Sequence, residues 1–555
     1  MISPQNHEAG IGDVMKNSQE NFYASIDECL LISEVHPASY EYTVGTGYSN
    51  VPPIAEGNTT SLDILAHRFH VVSIDNSYIL LEQEVEVTIP KMNDSFVTHY
   101  YIGYLLSFAC IGSYMIDSNT DQLLNVSHAN YEAFINYIST RDEVKEKDPN
   151  FATLSKVRRM DPDVPGTYID VSKITKETKI IVRIPLKIPL SHFLILQNMK
   201  YLPEWMGKLI IKITPTYRNI VVVPVISEEV LGCHKEIQVA IDTENNKDDG
   251  AEIVDLGYFQ LNQKMRNKFT LAATIVQSAL SYTCTFLPAV EFKCNFQQVT
   301  KCELYQATYQ LKMDVFNRLA MQYAQIPLIF PINLINHKDF TAPINDNDVI
   351  NTTLTASLMF VDSSYTVFKE DGLTSTQRFP NPGITHQHLI DGKHYPRSPQ
   401  HTFEDHRSIN QTYDALNVNN SRITSIGKDI KTSMQPYTPY YQYAEIVDKD
   451  THGKATKGYR WTNGNQSTFF IGNVFSDSEV FQGGLSTNNR HVQAQLLANR
   501  IASAPAKLKK KKFSQPVIIF VSDVLLEIYS HKPSGRSQWS ISVAPIEVIM
   551  NKFRQ

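Results

Sequence analysis

The sequence has little cysteine and little tryptophan for its length. Six cysteines and three tryptophans are scattered through 555 residues. The cysteines lie at positions 29, 110, 233, 284, 294 and 302, and no two of them have the close spacing of a zinc knuckle or a redox CxxC pair. Such sparse cysteine predicts a reducing compartment, such as cytosol or nucleus.

The motifs of common enzyme classes are also missing. The chain contains no GxxxxGK[ST], HExxH, GxSxG or GxGxxG segment. Gly453-Lys454-Ala455 lacks the glycine-rich lead and the hydroxyl that a phosphate loop needs. No pair of carboxylates stands in a recognisable arrangement. We therefore assign no catalytic, cofactor-binding or metal-binding residue from the sequence.

Long hydrophobic runs are few, and none predicts a membrane span. The longest uncharged run, residues 100–116, is interrupted by Gly103, Ser107, Gly112 and Ser113. A span takes roughly 20 mostly apolar residues. We predict two buried strands with a bend here. Residues 1–20 have no apolar core of the kind found in secretory signals.

Charge of either sign is moderate. The chain has 51 Lys+Arg against 57 Asp+Glu, a formal net charge of -6, which argues against a whole-surface polyanion binder. The one strong basic run extends from Lys507 to Lys512 and is followed by Phe513. It could contact nucleic acid or an acidic partner. The alternative that we favour is a solvated turn before the next strand.

The best candidate for a metal site is a group of histidines in a polar segment. Its members are His386, His388, His394, His401 and His406. His386 and His388 are two residues apart, so on a strand their side chains would point the same way and could chelate an ion. The spacing matches no known closed site, and we favour a solvated loop without metal.

Strand-like alternation is what the sequence has in abundance. The stretch that organises the chain is 179–216, where Ile180, Val182 and Ile184 alternate with charged residues, a pattern typical of a half-buried strand. Pro185 and Pro189 predict a break in the hydrogen-bond ladder. The apolar residues 193–196 predict about two helical turns, and the alternation over 208–213 predicts an antiparallel return strand. Together they predict the closing corner of a β-sandwich.

The same patterns recur along the chain. Alternation or apolar runs predict strands at 40–44, 81–89, 301–315, 351–362, 467–471, 517–529 and 539–543, and 3.6-residue spacing predicts a helix at 128–139. Residues 325–335, with two prolines, predict a connection at a sandwich edge. Three glutamates at 82, 84 and 86 share one strand face, which we predict to be solvated, the alternative being a face toward a basic partner.

Many short strands, few helices and two similar halves predict two consecutive antiparallel β-sandwiches. We expect a flexible N-terminal arm at 1–24, a first sandwich at 25–233, a linker at 234–251 and a second sandwich at 252–555. A polar stretch at 363–465 is predicted to be a long loop insertion in the second sandwich.

The order of several segments resembles one known family. The segments are 78–81, 114–116, 130–134, 188–193, 201–203 and 209–213 in the first half, and 469–475 followed by Phe481-Gln482-Gly483-Gly484 in the second. This succession is similar to the double jelly-roll major capsid proteins, most of all those of Polinton/Maverick elements and virophages. It covers residues from about 25 to 555. The 363–465 insertion and the basic run at 507–513 have no counterpart that we can map.

The resemblance implies an all-β fold of two tandem eight-stranded jelly rolls with few short helices and long loops. It implies a non-enzymatic subunit that needs no cofactor, forms homotrimers and, through capsomer contacts, an icosahedral shell around DNA. Penton or minor capsid proteins would be further partners. The place of action would be the virion, after synthesis in host cytoplasm and assembly in nucleus or cytoplasm, with 363–465 as a candidate outer tower.

Two other functions stay open on the residues alone. A carbohydrate-binding or glycosidase-type sandwich needs an exposed aromatic platform or two carboxylates facing a cleft. The three tryptophans, Trp205, Trp461 and Trp539, are too few and too dispersed to favour it. A non-catalytic sandwich adaptor is the second alternative, which no positive feature supports.

Overall fold

The structure is a computed structural model. It describes residues 40–44, 57–66, 69–89, 97–118, 121–140, 142–153, 156–157, 159–170, 174, 176–226, 253–255, 260–262, 293–311, 313–323, 328–340, 349–354, 358–367, 384–401, 442–449, 455–462, 470–475, 484–486, 492–498, 516–531 and 536–542. The predicted arm at 1–24, the predicted linker at 234–251 and the basic run at 507–512 lie outside these residues. In the described part no helix is long and apolar enough to cross a membrane.

Strands dominate, and every strand pair is antiparallel. The strands are β1 (Tyr40–Val44), β2 (Thr60–Ile64), β3 (His70–Ile89), β4 (Val97–Gly103), β5 (Ile111–Ser118), β6 (Asp121–Val126), β7 (Gly166–Asp170), β8 (Thr178–Pro189), β9 (Tyr201–Pro203), β10 (Leu209–Pro215), β11 (Val221–Ile226), β12 (Ile253–Asp255), β13 (Gln260–Asn262), β14 (Lys293–Gln310), β15 (Leu328–Asp339), β16 (Val349–Leu354), β17 (Val361–Val367), β18 (Ile384–Ile390), β19 (Lys393–His401), β20 (Gln442–Lys449), β21 (Ala455–Thr462), β22 (Phe470–Val474), β23 (Val492–Ala498), β24 (Val517–His531) and β25 (Arg536–Ser542). Among the described residues the helices are α1 (Ala129–Ser139), α2 (Asp142–Lys147) and α3 (Met313–Tyr323), with 3₁₀ turns at Ser107–Cys110, Leu190–His192 and Glu204–Met206.

The strand order is the same in two successive units. In the first unit the main sheets run β1-β14-β3-β8, with β9 added on β3, and β2-β10-β5-β6. In the second they run β15-β24-β17-β22, with β25 added on β24, and β16-β23-β18-β19. Numbering the eight main strands of each unit in chain order, one sheet reads 1-8-3-6 and the other 2-7-4-5 in both cases. This order, in which all chain neighbours except the fourth and fifth strands lie in opposite sheets, is that of a jelly roll. The fold is a double jelly roll.

The all-β fold with two jelly rolls agrees with the sequence prediction. We call the 1-8-3-6 sheet of the first jelly roll the β3 sheet and that of the second jelly roll the β17 sheet, each after the third main strand of its jelly roll. Smaller sheets, β11-β4-β7, β12-β13 and β20-β21, accompany them. The core of the first jelly roll lies between its two sheets, where Val85, Ile184 and Ile211 are fully buried.

The position of β14 differs from the predicted domain boundary. The strand follows the predicted linker at 234–251 in sequence, yet it pairs with β1 and along most of β3. A jelly roll places its last strand between its first and third, so the chain must return to the first unit before it leaves. We propose a division at α3, after β14 and before β15. The strand predicted at 301–315 accordingly ends at Gln310, and Met313 begins a helix.

The corner at 179–216 passes between the two sheets. β8 continues through Pro185 to Pro189, although a break had been expected, because β8 is the last strand in its sheet order and its outward side needs no N–H donors. The helix expected at 193–196 is replaced by turns. All four side chains there are buried, whereas a surface helix would turn one side outward. The return strand β10 pairs with β2 and β5 in the opposite sheet.

Other predictions have mixed outcomes. The strand at 40–44, the helix at 128–139 and the two strands with a bend at 100–116 are confirmed by β1, α1 and the pair β4 and β5. The connection predicted at 325–335 is instead the edge strand β15, which tolerates Pro331 for the same reason as β8. The single strand predicted at 351–362 is the end of β16 and the start of β17.

The prediction of one long loop at 363–465 is wrong. This stretch contains most of β17 and all of β18, β19, β20 and β21. β18 and β19 are two of the eight main strands of the second jelly roll. Their sequences, ITHQHLI and KHYPRSPQH, carry polar side chains at most positions, so they lack the apolar alternation by which strands are recognised.

Candidate functional site: the junction between the jelly rolls

Helix α1 makes one of the contacts between the two jelly rolls. Ala129 and Ala133 belong to the core of the first jelly roll. On another side of the helix, Tyr131, Phe134, Ile135 and Ile138 pack against residues of β17 and β24 in the second jelly roll: Tyr365, Val367, Val517, Ile519 and Val521. The predicted spacing of i, i+3, i+4 and i+7 therefore marks the face that joins the two bodies.

The β17 sheet is correspondingly buried on both faces. All seven residues of β17 are buried. In β24, Ile518 and Phe520 face the core of the second jelly roll, and Val517, Ile519 and Val521 alternate with them toward α1. A strand covered on both sides has a nearly continuous apolar sequence, as VIIFV at the start of β24 does. Full burial of each such side chain contributes about 1.5–3 kcal/mol.

A second contact between the two jelly rolls joins β25 to the Glu204–Met206 turn. Trp539 of β25 is buried, and its indole Nε1 donates a hydrogen bond of 2.9 Å to the carbonyl oxygen of Met206. The Ser537 hydroxyl donates to the carbonyl oxygen of Trp205, next along the same turn. The Trp205 ring lies edge-on to Phe316 of α3, with ring centroids 4.8 Å apart. We call α1, the Glu204–Met206 turn, α3 and their partners in β17, β24 and β25 the junction.

Replacing Trp539 tests this second contact. Trp539→Phe keeps an aromatic ring but leaves the Met206 carbonyl without its donor and leaves part of the indole volume empty. We expect the free energy of unfolding to fall by about 2 kcal/mol. Urea titration followed by tyrosine and tryptophan fluorescence measures this loss. Trp205→Phe is the control. A phenylalanine ring at this position can still lie against Phe316, and the peptide carbonyl of residue 205 still accepts the hydrogen bond from Ser537.

A buried carboxyl group lies where α1 meets the first jelly roll. Glu132 is fully buried, and its Oε2 accepts a hydrogen bond of 2.7 Å from the Tyr114 hydroxyl of β5. Its Oε1 accepts from the backbone N–H of Leu194, at 3.1 Å. Burial raises the pKa of Glu132 from its ordinary value of 4.5 to about 8, although both hydrogen bonds favour the ionised form. Glu132 is thus protonated near neutral pH and ties α1 to the corner after β8.

The histidines proposed for a metal site are placed differently from one another. His386 and His388 lie on β18 and are buried, not in a solvated loop as the sequence suggested. His394 lies on β19 and is exposed, and His401 ends that strand. His406 lies outside the described residues.

Their surroundings are those of a packed core. The His388 ring lies edge-on to Phe475, with centroids 5.1 Å apart. Burial lowers the pKa of His388 to about 4, so this imidazole is neutral at pH 7. Among the described residues no three histidine, cysteine, aspartate or glutamate side chains are grouped as metal ligands would be. The two-residue spacing on β18 thus places both rings on the buried face of a strand.

The sequence did not predict the junction, although one signal for it was present. The 3.6-residue spacing in α1 predicted an apolar face without indicating what covers it. The apolar run at the start of β24 was interpreted only as a strand. An apolar run without alternation predicts a strand that is buried on both faces. In a sandwich only one face of a strand packs against the opposite sheet, so another element has to bury the other face.

Comparison with solved structures returns viral capsid proteins. A crystal structure of the mavirus major capsid protein is similar with a TM-score of 0.47 and 9% identity, over 92% of this chain and 92% of that one. A cryo-EM structure of the Sputnik virophage gives 0.42 and 9%, over 93% and 90%. A quasi-atomic model of the PBCV-1 virus capsid gives 0.40 and 10%, over 91% and 97%. No protein-family profile and no curated protein matches the sequence.

Proposed function

We propose that the chain is a major capsid protein. In this function three copies assemble into a capsomer of pseudo-hexagonal outline, and capsomers tile an icosahedral shell around a DNA genome. The observation that carries the proposal is the repetition of one strand order in two jelly rolls joined by a buried junction. A chain with two similar bodies supplies six around a threefold axis, and a six-sided tile can cover a surface.

The junction supports this function because it makes the two jelly rolls one building block. The β17 sheet is covered by apolar side chains of α1 on its outer face, and Trp539 is hydrogen-bonded into the first jelly roll. Flexible tandem domains usually share smaller and more polar interfaces. A shell needs subunits of fixed shape, since each tile must meet its neighbours at the same angle. The energy of assembly would come from contacts between copies, less the cost of ordering them.

Further partners and location follow from the same proposal. A six-sided tile cannot fill the fivefold positions of an icosahedron, so a penton protein would occupy them. Minor capsid proteins would join capsomers, and the mature location would be the virion. The run from Lys507 to Lys512, outside the described residues, is a candidate for non-specific contact with packaged DNA.

The carbohydrate-binding alternative gains no support from the placement of the tryptophans. Trp539 is buried in the junction and Trp205 packs on Phe316. Two of the three tryptophans therefore hold the two jelly rolls together and do not form an exposed platform. No described feature favours a second function, so we propose only the capsid function.

The mass of the purified chain in solution tests the proposal. Size-exclusion chromatography with light scattering, over a range of protein and salt concentrations, should give a species of three times the 63.0 kDa chain mass, or larger assemblies built from it. A chain that stays monomeric at every concentration and ionic strength would contradict the proposed function. Bound carbohydrate on a glycan array, with a monomeric mass, would favour the alternative.

A further inference from the structure

The two jelly rolls have equivalent sheets with different surroundings. By strand order, β3, β8 and β14 in the first correspond to β17, β22 and β24 in the second. The outer face of the β17 sheet is covered by α1 within the same chain. On the β3 sheet the outward residues of β8 are exposed at every second position, from Lys179 through Ile181, Arg183 and Pro185 to Lys187. We call the outward-facing side of β3, β8 and β14 the open face.

Charged groups on the open face are paired along the sheet. Arg183 Nε lies 2.8 Å from Glu84 Oε1, and Lys179 Nζ lies 3.1 Å from Glu86 Oε1. On β14, Lys301 pairs with Glu303 at 3.1 Å. The three glutamates of β3 that the sequence predicted to be solvated are therefore partnered by β8 and by polar residues of β14, among them Thr300, which donates to Glu82.

Aromatic and aliphatic groups lie among these charges. The rings of Tyr78 and Tyr305 stack with centroids 5.2 Å apart, and Lys187 Nζ lies 4.4 Å from the centroid of the Tyr78 ring. Ile181 is 61% exposed and adds aliphatic surface to the open face. Tyrosine and arginine are the residues that most often anchor protein–protein contacts. The open face has the composition of a separable interface, about as polar as ordinary surface.

The contact inside the chain indicates what could cover the open face. The contact between α1 and the β17 sheet joins two different kinds of surface. One is an element between the fifth and sixth main strands of a jelly roll, and the other is the 1-8-3-6 sheet of the next jelly roll. A head-to-tail contact of this type leaves each chain with one unused surface of each kind. When the same contact is repeated between chains, it closes a ring if the rotation from one jelly roll to the next permits. In the first jelly roll the element is α1, between β6 and β8. In the second jelly roll the corresponding connection, between β19 and β22, holds the hairpin β20–β21.

We propose that the open face binds the second jelly roll of another copy of this chain, through the hairpin β20–β21. This inference rests on the proposed function and assigns it one specific surface. The contact between copies would repeat, in polar form, the contact that α1 makes within each copy. Subunits that fold separately must expose this surface to water before assembly, which accounts for its polar, internally paired side chains. Being polar, the contact should weaken as salt screens it.

Charge reversal at Arg183 tests the inference against a matched control. Arg183→Glu removes an exposed arginine paired with Glu84, and Arg159→Glu removes an exposed arginine paired with Glu146, away from the open face. We expect the dissociation constant of the trimer to rise at least tenfold for Arg183→Glu and less than twofold for Arg159→Glu. Ile181→Lys should act like Arg183→Glu. Melting temperatures of the Ile181→Lys and Arg159→Glu monomers should agree with the wild type within about 3 °C, because both positions are exposed. Ile181→Lys therefore separates loss of assembly from any loss of stability in Arg183→Glu, which leaves the buried Glu84 beside a second carboxylate.

Lysine labelling gives a second, substitution-free measurement. With an amine-reactive ester followed by mass spectrometry, Lys179 and Lys187 should be labelled severalfold less in the wild-type trimer than in the dissociated chain. Lys176, ahead of β8, serves as the internal reference. A trimeric wild type whose open-face lysines label as fast as those of the monomer, and whose Arg183→Glu variant assembles normally, would overturn this inference alone. A wild type that never assembles would overturn the proposed function with it.

Discussion

Replacing Ile135 by aspartate should uncouple the two jelly rolls. Ile135 lies in α1, is fully buried, and packs in the cluster formed with Tyr365, Val517, Ile519 and Val521. A carboxylate there has no partner, and the apolar contact of the isoleucine is lost as well. Together these changes should cost about 5 kcal/mol. We expect a chain whose unfolding in urea separates into two transitions, whereas the wild type unfolds in one.

The control for this variant is Asn130→Asp in the same helix. Asn130 is partly exposed and lies in the first turn, where a negative charge is favourable to the helix dipole. Asn130→Asp introduces the same side chain away from the α1 face that contacts the β17 sheet, so the free energy of unfolding should change by less than about 0.5 kcal/mol. Equal effects of Ile135→Asp and Asn130→Asp would mean that the contact between α1 and the β17 sheet contributes little to stability.

Glu132 should lower the stability of the folded chain as the pH rises from about 4.5 to about 8, whereas His388, whose pKa is lowered by burial to about 4, contributes in the opposite direction below pH 6.5. In the folded chain the pKa of Glu132 is raised by burial to about 8, while an unfolded glutamate has a value of 4.5. Between these values the unfolded chain has lost the proton that the folded chain keeps. The unfolded state then binds fewer protons, so the free energy of unfolding decreases with rising pH. Above about pH 8 both states are ionised and this contribution is constant.

Glu132→Gln should remove that pH dependence. The amide has the shape of the protonated acid and can keep the contacts with Tyr114 and the Leu194 N–H. In urea unfolding at pH 5 and pH 8.5, the stability of the wild type relative to the variant should therefore be lower at pH 8.5 than at pH 5 by a few kcal/mol. Tyr114→Phe is informative as well, because it removes the hydroxyl and leaves the burial of the carboxyl unchanged. A stability difference between wild type and Glu132→Gln that is the same at both pH values would contradict the assignment.

Much of the fold could be predicted from local patterns. Alternation in 179–184 and 209–213 predicted β8 and β10, and the 3.6-residue spacing in 128–139 predicted α1, because one buried face imposes a period on the sequence. Such a period tells which side of an element is covered and not what covers it. The pairing of β14 with β3 and the docking of α1 on the β17 sheet are therefore visible only in the structure.

Two kinds of strand were hidden from sequence reasoning. The second half of β8 and the whole of β15 were missed because their prolines predict breaks, yet an edge strand has one side on which no N–H is needed. β18 is buried on one face with histidines at 386 and 388, which signal a ligand site more strongly than a core. The glutamates of β3 were predicted to be solvated, whereas Glu84 is buried and paired with Arg183, and Glu86 is paired with Lys179. This pairing depends on the register of β3 and β8, which local patterns do not fix.

Electron microscopy of the purified assembly tests the central claim most directly. Class averages viewed along the threefold axis should show six lobes of similar size, two from each chain, with the junction inside a chain and the open face between chains. Three lobes, a ring of another number, or isolated two-lobed monomers under all conditions would contradict the account.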